Sequence, residues 1–216
     1  MRKNSEAPQR FPTLAESDRR WRILHATFAV LTEQGYAGAK MTEIAARARV
    51  SLRELYALFG NKRGILAALV AERSALIRAP LTLPPVGTRA EFAAALTAFG
   101  TTALRELCEP STTALNRLAA IERERSPEVA EALDQAGREA LRAALTQQLA
   151  KMQAIGLLKA GDPAFMAGQY FSLLLGDLLF RLLLGTMAPP TPREIKRRAE
   201  AATEALLTLH GAAGDA

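Results

Sequence analysis

The stretch that decides the fold is residues 41–60, MTEIAARARVSLRELYALFG. Apolar side chains at helical spacing predict two short helices, at about 42–48 and 52–58, with a turn at Arg49 and Val50 between them. The second helix begins with Ser-Leu-Arg-Glu at 51–54, which is a capping box. Two short helices joined by a tight turn predict a helix-turn-helix, whose second helix can enter the major groove of DNA. The side chains expected to face inward are Ile44, Ala45, Ala48, Leu55, Leu58 and Phe59.

The rest of the chain also has helical periodicity, and nothing in it alternates as a strand does, so we predict an all-α fold. Four helix starts have cap residues: capping boxes begin at Thr88 and Thr191, while Ser126 and Asp162 each precede a proline. A break around Pro80, before Pro84 and Pro85, marks a domain boundary. Nine helices are predicted, at about 17–34, 42–48, 52–58, 62–77, 88–108, 111–124, 127–155, 163–186 and 192–210.

The positive charge of the chain lies in its first third. The 216 residues have a net charge of +6, and residues 1–73 account for all of it, with 13 Lys/Arg against 7 Asp/Glu. A basic N-terminal region joined to a neutral remainder indicates a module that binds a polyanion, although a solvated basic face has the same composition.

Several classes of protein are excluded. The single cysteine, Cys108, excludes a disulfide framework, and with only His25 and His210 we expect no metal site and no cofactor. No Ser-His-Asp arrangement, phosphate-binding glycine loop or paired-carboxylate site indicates an enzyme. The most apolar stretch, 171–184, is interrupted by Asp177 and Arg181, and is shorter than the ~20 residues of a membrane span. We therefore expect a cytoplasmic protein that does not enter a membrane.

Residue types and spacing agree with a known DNA-binding domain from about 21 to 69, at Gly35, Tyr36, Ile44, Ala45, Ala48, Val50, Ser51, Leu55, Tyr56, Phe59 and Lys62. At these positions the chain resembles the TetR family of transcriptional regulators. From Asp162 to Pro190 it is also similar to the C-terminal domains of one subgroup. Two departures concern the operator rather than the fold: Arg49 replaces the usual turn glycine, and Arg53-Glu54 replace a usual Gly-Thr pair.

The resemblance implies a division of the chain by function. A flexible basic arm at 1–16 precedes the helix-turn-helix domain at 17–62. A connecting helix at 63–80 leads to an effector-binding and dimerisation domain at 81–216. Arginine and lysine side chains of the arm (Arg2, Lys3 and Arg10) would add affinity that does not depend on DNA sequence.

Eight residues are predicted to contact DNA: Lys40, Thr42, Arg47, Ser51, Leu52, Arg53, Tyr56 and Lys62. Arg53 can form a bidentate pair with guanine, or it can bind a phosphate or only solvent. Tyr56 resembles a phosphate-contacting tyrosine of the family, and the alternative is half-buried packing. Lys62, at the start of the next helix, suits a phosphate. Glu54 can accept a hydrogen bond from cytosine, but its capping role explains it without DNA.

The family resemblance also implies a homodimer formed by the last two helices. The helix at 163–184 is apolar nearly all round and must be buried on several sides, against a second chain or inside a monomer core. An intrahelical ion pair is expected between Asp177 and Arg181. An effector pocket is implied in the middle helices. The predicted ligand contacts are Phe99, Leu118, Met152, Met166 and Tyr170, and residues of this kind are more often ordinary core residues.

Two functions follow as hypotheses. The first is a repressor that binds a pseudo-palindromic operator in double-stranded DNA as a dimer and is released by a small apolar effector. The second is a DNA-binding regulator or architectural protein without a small-molecule effector, which a fully packed pocket would favour.

Overall fold

The computed structural model describes residues 19–82 and 87–212. The predicted arm at 1–16, the start of the first helix at Ser17, and Pro84 and Pro85 lie outside the described residues.

The described residues form an all-α fold without β-strands, as the sequence predicts. Eleven α-helical segments of the described residues are labelled below. Because α7 and α8 are joined without a break by a π-helical segment at Leu133–Glu139, they form one continuous helix, and the described helices number ten. The helices are α1 Arg19–Gly38, α2 Met41–Ala48, α3 Leu52–Phe59, α4 Lys62–Thr82, α5 Arg89–Leu107, α6 Pro110–Ile121, α7 Pro127–Ala132, α8 Ala140–Ala154, α9 Pro163–Leu175, α10 Leu178–Leu184 and α11 Pro192–His210.

The described structure has one helix more than the nine predicted, because of a break that the sequence analysis missed. The stretch predicted as one helix at 163–186 is divided at Gly176, whose backbone has φ 48° and ψ −126°. Arg198 on α11 donates from Nε and Nη2 to the carbonyl oxygens of Leu174 and Leu175, at 2.5 and 2.9 Å. These bonds satisfy two carbonyls that a continuous helix would have used internally.

The predicted helix end near Pro80 is also wrong, because α4 continues through this proline to Thr82. Proline removes one helical hydrogen bond. Burial compensates here: Leu81, one residue later, is 3% exposed and packs in the core of the C-terminal helices.

Of the four helix caps predicted after the helix-turn-helix, three are confirmed. Thr88 and Thr191 form complete capping boxes, and Asp162 accepts a hydrogen bond from the backbone N–H of Ala164. The fourth is wrong: Ser126 makes no capping hydrogen bond, because its backbone (φ −141°, ψ 68°) does not aim the buried hydroxyl at the first turn of α7.

Two apolar cores organise the helices. One lies among α5, α8, α9, α10 and α11, with the end of α4. The other fills the N-terminal unit α1–α4, here called the head, and also takes in Leu115 and Ala119 of α6 and Val129 of α7. The α6 helix therefore packs against the head. One predicted core residue of the head is misplaced: Leu58 is 47% exposed, because α3 buries only Leu55 and part of Phe59.

The turn between α2 and α3 contains the one described non-glycine residue with positive φ, Arg49, at φ 55° and ψ 50°. Its N–H donates to the carbonyl oxygen of Ala46, and the Val50 N–H donates to that of Ala45. The residue thus ends α2 in a left-handed conformation, which costs about 1–2 kcal/mol for a residue with a Cβ.

Replacing Arg49 with glycine should stabilise the protein by about 0.5–1 kcal/mol, since the strain is relieved but glycine gains freedom in the unfolded chain. Urea denaturation measures the change. Arg49→Ala is the matched control, because it removes the guanidinium group and keeps the strain. Equal stability of the two variants would contradict this account.

Candidate nucleic-acid interface and effector cavity

The start of α3 is fixed by hydrogen bonds around Ser51. The Glu54 N–H donates to the Ser51 hydroxyl at 3.1 Å, and Glu54 Oε2 accepts from the Ser51 N–H and hydroxyl, both at 2.9 Å. Glu54 Oε1 pairs with Arg19 at 2.8 Å. The hydrogen bonds from Ser51 lower the pKa of Glu54. Both carboxylate oxygens are therefore in use, which favours capping over a base contact.

The other side chains of α3 that are predicted to contact DNA face solvent. Arg53 is exposed, Leu52 is 37% exposed and Tyr56 is 47% exposed, so Tyr56 is not packed away. At the start of α2, Lys40 and Thr42 are exposed, and the helix has no side-chain cap. Its first N–H groups thus lack a capping side chain and suit an anion such as a phosphate.

The structure gives Arg47 a different environment from the one predicted. Its Nη2 lies 2.6 Å from Glu33 and 2.7 Å from Glu43, so it bridges α1 and α2. The hydrogen bond from Arg47 lowers the pKa of Glu33, and the two acids raise the pKa of Arg47. The two carboxylates already balance the charge of Arg47, so the geometry does not support Arg47 as a DNA ligand.

Lys62 also points into the protein rather than outward. Its Nζ donates to the carbonyl oxygens of Tyr36 and Ala39, and lies 4.3 Å from the centre of the Tyr36 ring. Burial lowers the pKa of Lys62. The ammonium group holds the end of α1, so the geometry does not support the predicted phosphate contact.

A second side chain holds the same point from the other side. The backbone N–H of Tyr36 donates to both carboxylate oxygens of Glu122, at 3.1 and 3.0 Å, just after α6 ends. Gly35 (φ 72°) makes this possible, because a Cβ there would lie 2.4 Å from Glu122 Oε1. The N–H and C=O groups of Tyr36 are thus bound by α6 and α4 respectively. Sequence analysis missed this contact, which joins residues 86 positions apart.

A mainly apolar cavity of about 300 Å³ lies between the head and the C-terminal helices. This volume is at the lower end of the ~300–1,000 Å³ of ligand pockets. Phe28 of α1 and Leu69 of α4 line it on the head side. The first half of α6, and α8, α9 and α10, complete it, with apolar contributions that include Leu115, Leu141, Phe171 and Leu179.

None of the five predicted effector contacts lines this cavity. Phe99, Met152, Met166 and Tyr170 are at most 3% exposed within the C-terminal core, and Leu118 packs against the head core. Tyr170 donates its hydroxyl to the Leu96 carbonyl oxygen at 2.8 Å, and burial raises its pKa. The cavity is lined by other residues of these helices, which amphipathic spacing cannot distinguish from the core.

The polar groups of the cavity cluster where α4 meets α5 and α6. Arg73 lies 3.8 Å from Glu106, and donates to the hydroxyls of Ser111 and Thr112 at 2.9 and 2.5 Å. Burial lowers the pKa of Arg73 and raises that of Glu106. The neighbouring Ser74 hydroxyl is buried without a hydrogen-bond partner.

A helix-turn-helix with an open recognition helix, joined to a helical domain, defines a DNA-binding regulator of transcription. Residues 23–69 match the family model described as bacterial regulatory proteins, tetR family. Residues 94–212 match the model described as AefR-like transcriptional repressor, C-terminal domain. The second match covers more than half of the chain, which therefore belongs to the TetR family. Members of this family are non-enzymatic DNA-binding regulators that act as dimers with small-molecule effectors.

Solved structures agree with this assignment. A TetR regulator from Agrobacterium tumefaciens is 26% identical with a TM-score of 0.72, covering 91% of this chain and 96% of its own. The flavonoid-responsive regulator FrrA is 28% identical with a TM-score of 0.68, covering 89% and 97%. A TetR-family protein from Mesorhizobium loti, at 24% identity and a TM-score of 0.71 over 89% and 96%, shows the shared fold. No curated protein matches the chain.

Within the described residues, no single helix has the length and apolar character needed to cross a membrane. Taken together, α9 and α10 meet that test by length and composition, but they are bent by 51° at the break between them.

Arg53→Ala should weaken binding to a duplex selected from random DNA by about 10-fold and relax the preference at one base pair, as expected for loss of a bidentate base contact. Fluorescence anisotropy on the selected duplex and its point variants measures both effects. Arg193→Ala, which removes an exposed charge from α11, should leave binding within about 2-fold. A uniform loss across all duplexes would mean that Arg53 binds phosphate.

Proposed function

We propose that this protein is a homodimeric repressor that leaves its operator when a small, mainly apolar effector enters the cavity described above. The observation that carries the proposal is the path of α6: its first half lines the cavity, and the residue after its end, Glu122, holds the head at Tyr36. A ligand that displaces α6 therefore acts on the DNA-binding unit. The presence of a cavity favours this function over a regulator without an effector.

The proposed DNA surface comprises the exposed side chains at the starts of α2 and α3: Lys40, Thr42, Ser51, Leu52, Arg53 and Tyr56. With the helix-turn-helix domain at 17–62, the connecting helix at 63–80 and the effector and dimerisation domain from 81, each subunit contributes one such surface. Two surfaces related by a dyad read a pseudo-palindrome. Because the protein acts on DNA, we propose that it is cytoplasmic.

The proposed dimer interface lies on the helices after residue 162. Several large apolar side chains are exposed there in the single chain, although isolated exposed apolar residues elsewhere need no explanation. Arg181 and Asp177 form the predicted intrahelical pair, at 3.8 Å, beside this surface. The exposed apolar residues are Phe165 (61%), Leu173 (41%), Phe180 (64%), Leu184 (60%) and Leu209 (53%).

Phe180→Arg should convert the dimer to a monomer, since a charge without a partner would be buried at the interface. Sedimentation velocity measures the mass. Ile121→Arg is the matched control, because Ile121 is also apolar and exposed (82%) but lies at the end of α6. A dimeric Phe180→Arg protein would contradict the proposed interface.

Repression is tested with a reporter gene placed behind the selected operator in cells that contain or lack the protein. A repressor keeps expression low, and an effector raises it to the level without the protein; the opposite order would identify an activator. Glu122→Ala should still repress, because the DNA surface is unchanged, but should respond to effector at least about 3-fold less, because the link from α6 to the head is lost. Glu124→Ala removes a nearby exposed carboxylate and should behave as wild type.

A further inference from the structure

We infer that the effector is an organic monoanion, with an apolar body in the cavity and one acidic group bound by Arg142. The inference rests on the proposed function, because it concerns the ligand of the same cavity. It is argued from the charges in the cavity wall, from the packing around Arg142 and from one buried hydroxyl group.

The charges of the wall are balanced except at one residue. Arg73 faces Glu106 and two hydroxyls, as described above. Arg138 pairs with Asp134 and Glu139, each at 2.6 Å. Arg142, which also lines the cavity, has no carboxylate within 4 Å among the described residues. A partly buried guanidinium group without an acid is a binding group for an anion, and its planar fork fits a carboxylate.

The packing around Arg142 places its charge beside the apolar wall. Its Nη2 lies over Gly168 of α9, and a Cβ added at Gly168 would lie only 2.8 Å from this nitrogen. Phe171 and Leu175 follow Gly168 by three and seven residues, hence on the same face of α9, and both line the cavity. A ligand whose ring or chain packs on Phe171 and Leu175 would bring an acidic group to Arg142.

A second polar group is also unused. Ser74 lines the cavity from α4, is 2% exposed, and its hydroxyl has no hydrogen-bond partner. A buried hydroxyl without a partner is unfavourable unless a ligand or a water satisfies it. An oxygen atom on the body of the acid would form a hydrogen bond with this hydroxyl. The unpaired Ser74 hydroxyl is therefore independent support for a polar contact between ligand and cavity.

The test is isothermal titration calorimetry on the full chain without DNA. The probes are decanoate and 6-hydroxy-2-naphthoate, each paired with the primary alcohol of the same body, and decylamine as the cationic counterpart. At least one acid should bind roughly 10-fold or more tightly than its alcohol, as expected for a hydrogen bond to a charged group. Decylamine should not bind measurably.

Arg142→Ala should abolish the preference for the acid and leave the affinity for the alcohol within about 2-fold. Arg142→Lys should keep part of the preference, because the charge remains but the fork is lost. Arg193→Ala is the control, since this exposed arginine of α11 does not line the cavity, and it should change neither affinity. Ser74→Ala should weaken the hydroxynaphthoate several-fold without lowering the melting temperature of the free protein.

Three results would overturn the inference: no acid binds, the alcohols bind as tightly as the acids, or Arg142→Ala and Arg193→Ala have equal effects. The proposed function fails separately. An alcohol that releases the operator at the same concentration as its acid, or at a lower one, contradicts the anionic effector and leaves the repressor intact. If cavity ligands of any charge leave operator binding unchanged, the effector-controlled repressor itself is contradicted.

Discussion

One carboxylate ties the end of α6 to the head. Glu122 lies just after the end of α6 and accepts hydrogen bonds from the backbone N–H of Tyr36, while Lys62 donates a hydrogen bond to the Tyr36 carbonyl oxygen. Opposite charges thus hold the end of α1, from which α2 and α3 follow. Because α6 packs in the head core and also lines the cavity, we propose that the position of the recognition helix depends on what the cavity contains. Coupling between two sites requires such a shared element with two arrangements of different ligand affinity.

Signals that act within a few residues made most of the fold predictable. The capping boxes at Ser51, Thr88 and Thr191 mark the starts of three helices because both partners of each box lie within one turn. The turn at Arg49 was also predictable, since the expected left-handed residue is present there. The errors at Gly176 and Pro80 arise instead from contacts with other parts of the fold. Arg198 of another helix satisfies the broken end of α9, and burial of Leu81 carries α4 past a proline.

The candidate site was predictable only where it is local. Exposure of Arg53 and Tyr56 follows from their place on a short helix whose inner face is fixed by Leu55. The roles of Arg47 and Lys62 depend on partners elsewhere in the chain, so a phosphate contact and an internal bond look alike in sequence. The cavity is a further case, because apolar spacing shows which residues turn inward but not where packing leaves space. Glu122 and Arg142 gave no sequence signal, since their neighbours lie on other helices.

The central claim is that cavity and recognition helix are thermodynamically coupled, and reciprocal titration tests it most directly. A ligand that calorimetry shows to bind the cavity is titrated against the protein–operator complex by anisotropy, and its own affinity is then measured with and without saturating operator. Linkage requires both experiments to give the same factor. The account predicts a common factor of about 5–150, with ligand and operator each weakening the other. A ligand that fills the cavity and leaves operator affinity unchanged would contradict it.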